Sequence, residues 1–87
     1  MKDKVIMVTG GSSGMGKAMA KRFAQEDANV VITGRSLERL KATKEEIEQR
    51  KGQILCIDMD VRDIERVQYT VDETIKRYGK IDGLVNK

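Results

Sequence analysis

Residues 5–24 read VIMVTGGSSGMGKAMAKRFA. The first five, Val5 to Thr9, are apolar or β-branched throughout, the pattern of a strand buried on both faces. A Gly/Ser cluster follows, with Gly10, Gly14 and Gly16 spaced G-x-x-x-G-x-G. From Gly14 the period changes to that of a helix. Met15, Ala18, Met19, Phe23 and Ala24 fall on one face, and Lys17, Lys21 and Arg22 fall away from it. Glycines in such a turn let the backbone bend tightly and approach a ligand closely. The helix that follows offers free N–H groups and a partial positive charge, which together suit an anion such as a phosphate. Ser12 and Ser13 can add hydroxyl donors. Lys17 is followed by Ala18, so the G-K-[ST] triplet of a P-loop is missing.

Working outward, the same alternation continues. NVVITG, from Asn29 to Gly34, is a second short β-branched run. Ser36 stands where a helix N-cap belongs, ahead of Leu37, Leu40 and Ile47. QILCIDMDV contains a third strand, expected over Gln53 to Asp58. Ile64, Val67, Val71, Ile75 and Tyr78 recur at three- and four-residue steps, which predicts an amphipathic helix from Asp63 to Tyr78. Gly79 is its stop. IDGLVN is a fourth apolar run. The order β-α-β-α-β-α-β implies parallel strands joined by right-handed crossovers. We read residues 1–87 as a single domain of α/β class, since no proline, linker or low-complexity tract marks a boundary.

Composition narrows the function classes. The chain has 87 residues, of which 36% are charged and 39% hydrophobic, as in a globular protein. The net charge of +3 is small, and the basic residues are interspersed with acids. No nucleic-acid partner is expected. No apolar run approaches the roughly 18 residues of a membrane span, so no membrane partner is expected either. Cys56 is the one cysteine, so no internal disulfide can form. MKDK leads directly into the first strand pattern, and a cytoplasmic location is expected. Histidine is absent, so any chemistry proceeds without imidazole. Asp58, Asp60 and Asp63 form D-x-D-x-x-D, but no calcium-type loop follows, and a metal site is not expected.

In a parallel sheet, a dinucleotide binds where the strands end at their carboxyl edge. The end of the second strand should meet the adenosine ribose. An NAD-type site places an acid about 20 residues after the last glycine. Here the residue nineteen positions after Gly16 is Arg35, flanked by Gly34 and Ser36. A carboxylate would repel a 2′-phosphate, whereas a guanidinium holds one by charge-assisted hydrogen bonds. The expected cofactor is therefore NADP(H), with NAD(H) disfavoured.

These residues resemble the N-terminal part of a classical short-chain dehydrogenase/reductase along nearly the whole chain. TGGSSGMG resembles the family's T-G-x-x-x-G-x-G motif at Thr9, Gly10, Gly14 and Gly16. MDVRD looks like the family's acidic stretch after the third strand. The resemblance implies that Asp60 bonds the adenine amino group and that Val61 lines the adenine pocket. IDGLVNK is similar to the start of L-V-N-N-A-G, matched at Asn86 but not at Lys87. Among branches, the chain looks most like bacterial 2,4-dienoyl-CoA reductases. The implied fold is a Rossmann-like three-layer sandwich with strand order 3-2-1-4, half of a doubly wound sheet. The implied cofactor-binding set is Thr9, Gly10, Ser12, Ser13, Gly14, Met15, Gly16, Arg35, Ser36, Asp60, Val61 and Asn86.

The resemblance also implies what is missing. The family's catalytic Ser and its Tyr-x-x-x-Lys pair lie later in full-length members. Neither Tyr69 nor Tyr78 has a lysine four residues on. No catalytic residue is assigned, and the chain alone is expected to be inactive. A second expectation is a non-catalytic nucleotide-binding or interaction module. In either case the fourth strand would lie at an open sheet edge, and a homo-oligomer is expected.

Overall fold

The computed structural model describes residues 1–86; Lys87, where the family pattern breaks, lies outside the described residues. Four strands and three helices alternate: β1 (Val5–Thr9), α1 (Gly14–Gln25), β2 (Asn29–Gly34), α2 (Leu37–Ile47), β3 (Ile54–Asp58), α3 (Ile64–Tyr78) and β4 (Gly83–Val85). All strands are parallel, in the order β3-β2-β1-β4. Met7 sits level with Val31 on one side and with Leu84 on the other. This is the Rossmann-like order expected from the sequence.

Side chains along a strand alternate between faces, and each face carries its own cluster. On one, Ile6, Val8, Val30, Ile32 and Ile54 pack with Ala20, Ala24, Leu40 and Ile47 of α1 and α2. On the other, Met7, Val31 and Ile57 pack with Leu55, Tyr78 and Ile81. The second cluster is the smaller, and α3 covers it incompletely.

Three expectations need correction. The third strand starts at Ile54, not at Gln53. Gln53 is fully buried and works as a polar staple: its amide donates to the carbonyls of Ala24 and Ala28 and accepts from the Gln49 N–H. The buried face of α1 is Gly16, Ala20 and Ala24, whereas Met15 is 65% exposed and Ala18 also faces solvent. Small residues let this helix approach the sheet, and the larger ones flank the contact. The buried residues of α3 are Thr70 and Thr74, while Ile64 and Ile75 are exposed. Both hydroxyls donate within the helix, to the carbonyls of Arg66 and Thr70. With its hydroxyl satisfied, each threonine packs as a small β-branched residue. No helix among the described residues is long and apolar enough to cross a membrane.

Candidate functional site

The carboxyl ends of β1, β2 and β3 meet at a cleft of about 270 Å³. The loop after β1 supplies Thr9, Gly10, Ser12 and Ser13 to its wall; the end of β2 supplies Thr33, Gly34 and Arg35; the end of β3 supplies Met59, Asp60 and Val61. Two backbone bonds tie these three segments together. The Gly11 N–H donates to the Thr33 carbonyl at 3.1 Å, and the Met59 N–H to the Gly34 carbonyl at 2.7 Å. A neighbouring hollow of about 380 Å³ shares Arg35, Met59 and Asp60 and adds Asp58, Asp63 and Arg66.

The three helix starts differ in a way that marks the loop. Ser36 caps α2 by accepting from the Arg39 N–H, and Asp63 caps α3 by accepting from the Arg66 N–H. Ser13 occupies the same place on α1 but makes no side-chain cap bond, and no acid lies in the first turn. The leading N–H groups of a helix have no intrahelical partner. Those of α1 therefore meet no capping carboxylate or hydroxyl, and they start beside the cleft.

The glycines hold this arrangement. A Cβ on Gly16 would lie 2.2 Å from the Gly10 carbonyl oxygen, so only a glycine allows the loop to fold back on its own helix. Gly14 has φ of +53° and open space where its Cβ would point. Gly11 was not singled out by its spacing, yet a Cβ there would lie 2.7 Å from that of Ile32.

Of the residues expected at the site, seven line the cleft: Thr9, Gly10, Ser12, Ser13, Arg35, Asp60 and Val61. The other five do not line it. Gly14, Met15 and Gly16 form the first turn of α1, and Ser36 caps α2. Asn86, just past β4, supports the site, where its Oδ1 accepts from the Thr9 hydroxyl at 2.9 Å. Thr33, Gly34 and Met59 were missed. Their signal is positional: Thr33 ends β2 level with Thr9, Gly34 precedes Arg35 and Met59 precedes Asp60. The Thr33 hydroxyl is buried without a hydrogen-bond partner among the described residues.

Charge at the mouth is unevenly paired. Asp60 is gripped by Arg62, whose Nη2 donates to Oδ2 at 2.7 Å and whose Nε donates to Oδ1 at 3.1 Å. The Arg62 N–H adds a third bond to Oδ1 at 2.9 Å. These bonds hold the Asp60 carboxyl far below the usual carboxylate range. Arg35 reaches the same carboxylate only at 3.9 Å and is 76% exposed. Cys56 lies away from the mouth, with its thiol donating to the Leu40 carbonyl, and burial pushes its pKa up. It packs against the larger core cluster.

The profile of one protein family, short chain dehydrogenase, matches residues 4–87. A probable 2,4-dienoyl-CoA reductase of Bacillus subtilis (strain 168) is 45% identical over 86 residues, which is 99% of this chain and 34% of that protein. The crystal structure of a short chain dehydrogenase from Bacillus anthracis is 53% identical with a TM-score of 0.97, covering 99% of this chain and 34% of that one. Actinorhodin polyketide ketoreductase, solved with NADPH, is 32% identical with a TM-score of 0.89, over 97% of this chain and 32% of its own. The chain thus spans about a third of the length of these relatives. With the glycine loop, the strand order and the sequence match in register over nearly every residue, the chain belongs to the short-chain dehydrogenase family.

Proposed function

We propose that this chain is the NADP(H)-binding part of a short-chain reductase. The observation that carries the reading is Arg35: a guanidinium at the end of β2, exposed at the mouth of the cleft, where an NAD-type site would place an acid. The uncapped start of α1 fits a pyrophosphate. In this reading the loop from Gly10 to Gly16 cradles that pyrophosphate, with Ser12 and Ser13 as hydroxyl donors. Met15 borders it. Arg35 and the start of α2 at Ser36 hold the 2′-phosphate, Asp60 accepts from the adenine amino group, and Val61 packs on the ring. Asn86 steadies Thr9 and with it the end of β1. A solved relative carries NADPH and another carries NADP, which supports the choice, although a third was solved with NADH.

When bound, the cofactor supplies or accepts a hydride. A full-length relative would use it on a carbonyl or enoyl-CoA group, the latter in keeping with the 2,4-dienoyl-CoA reductases among the relatives. The residues present bind and orient. None of them is placed to protonate a developing alkoxide, because neither tyrosine has a lysine four residues on. A second reading is a nucleotide-binding or interaction module that assembles through the edge of β4. A homo-oligomer assembled at the open edge of β4 belongs to both readings, as does a cytoplasmic setting, which a single cysteine suits.

Titration with NADPH, NADH and adenosine 2′,5′-bisphosphate tests the proposal. NADPH is expected to bind about ten- to a hundredfold more tightly than NADH, the worth of one charge-assisted contact of about 1.5–3 kcal/mol. Arg35→Asp should reverse the order. Equal affinities in the unaltered chain would defeat the cofactor assignment.

A further inference from the structure

Arg35 shares a hollow with three carboxylates, Asp58, Asp60 and Asp63, and each of them is bonded to something else. Asp58 is held by Arg66, whose Nε donates to its backbone carbonyl at 2.8 Å and whose Nη2 donates to Oδ1 at 3.0 Å. Asp63 spends Oδ1 on the Arg66 N–H. Asp60 accepts three bonds from Arg62. Arg35 makes no hydrogen bond among the described residues, and its approach to Asp60 stops at 3.9 Å. The segment DMDVRDIER, residues 58–66, thus carries its own counter-ions for its acids.

Asp60 is the acid that matters most. It lines the same cleft as Arg35 and stands 3.9 Å from the Arg35 Nε, while all its hydrogen bonds to arginine go to Arg62. A freed Asp60 needs to close only a short gap to pair with Arg35. The rigid fork of Arg62 takes both carboxylate oxygens, and the Arg62 backbone fixes one of them again. We propose that Arg62 is a positioning residue that keeps Asp60 away from Arg35 and so leaves Arg35 available to an anionic group on the ligand's ribose. The inference rests on the reading of Arg35 as the 2′-phosphate contact. In it Arg62 never touches the phosphate; it acts only through Asp60.

The readout is the ratio of dissociation constants for 5′-AMP and adenosine 2′,5′-bisphosphate. The two probes share base, sugar and 5′-phosphate, so the ratio isolates the 2′-phosphate. It is measured by calorimetry at low ionic strength for the unaltered chain, Arg62→Gln, Asp60→Asn and the double variant. Arg62 is 75% exposed, so its replacement leaves the core intact. Arg62→Gln is expected to lower the ratio about two- to fivefold, the fold-change equivalent of one exposed ion pair formed in competition with the ligand. In the Asp60→Asn background the same substitution should leave the ratio unchanged, because no carboxylate remains to capture Arg35. An equal loss in both backgrounds would overturn the proposal, since a direct phosphate contact or a long-range field from Arg62 acts additively. Arg35→Gln separates this outcome from failure of the underlying reading. If it erases the ratio while the cycle is additive, only the role of Arg62 falls. If the ratio survives Arg35→Gln, the reading falls and takes this inference with it.

Discussion

At the scale of single residues, Gly16 and Asp82 each hold a close contact that no neighbour can replace. A methyl on Gly16 would meet the Gly10 carbonyl oxygen at 2.2 Å and its carbon at 2.9 Å, both of them backbone. Gly16→Ala must therefore move the loop or the helix, at about 1–3 kcal/mol. Urea unfolding should show that loss, and nucleotide affinity should fall with it. Gly14→Ala is the contrast. Its Cβ meets nothing within 4 Å, so the cost is the left-handed backbone alone, about 1–2 kcal/mol. Gly14→Val should keep its fold by circular dichroism and, on the proposed reading, lose nucleotide binding, because its branched side chain would enter the open space at the start of α1. Asp82 contributes to acid stability. Its Oδ2 accepts from the Val5 N–H at 2.7 Å and pairs with Lys80 at 3.2 Å, and its pKa is lowered, first by the backbone bond and then by Lys80. The folded chain holds this proton less tightly than the unfolded chain. The stability Asp82 contributes is thus fully present above about pH 4 and is lost as pH falls through its lowered folded value. In Asp82→Asn the urea midpoint should drop at pH 7 and converge on that of the unaltered chain in acid.

At the scale of elements, Leu40 shows how much one helix side chain anchors. It is fully buried in α2 and packs in the larger of the two clusters. Leu40→Ala should cost about 2–5 kcal/mol by urea unfolding, with Leu37→Ala, at a partly exposed position, as the mild control. Element identity was legible in the sequence because strands and helices carry different hydrophobic periods, and Ser36, Asp63 and Gly79 mark their ends. Helix orientation was less so. The buried stripe of α1 is made of glycine and alanine, and that of α3 is centred on threonine, so a reading that weights large apolar residues rotates both helices away from their true contact line, although Phe23, Ala24 and Tyr78 do pack inward. At the site, the glycine loop and Arg35 stood out by chemistry unusual for their position and Asp60 by the family resemblance of MDVRD, and the fold brings all three to one cleft. The clamp of Arg62 on Asp60 was not legible, since a basic residue two positions from an acid reads as an ordinary solvated pair. Its meaning comes only from Arg35, which the fold brings in from another strand.

At the scale of the whole molecule, the two edges of the sheet are unequal. β3 runs five residues with Ile54 and Ile57 buried, whereas β4 runs three, with Leu84 at 64% exposure. β4 pairs with β1 on one side, and no strand among the described residues pairs with its other side. Its free N–H and C=O groups can add a strand. The face beside it is also open: Leu84 lies level with Met7 on the side of α3, and Ile64 and Ile75 of that helix are exposed. A chain of 87 residues buries a modest fraction of its surface, so covering these groups is worth a sizeable share of its stability. Two copies meeting at β4 about a two-fold axis would continue the sheet, antiparallel at the seam, and would cover Leu84 on both sides. Three residues offer few ladder bonds, so the association should be weak and concentration-dependent. Sedimentation across micromolar concentrations is expected to show a monomer–dimer equilibrium. Leu84→Lys should shift it to monomer, because a charge on a short edge opposes pairing. Adding nucleotide should leave the equilibrium in place, since the cleft at the ends of β1, β2 and β3 does not include β4. A chain that stays monomeric and cooperatively folded at the highest concentration would show instead that three exposed residues are too short an edge to recruit a partner.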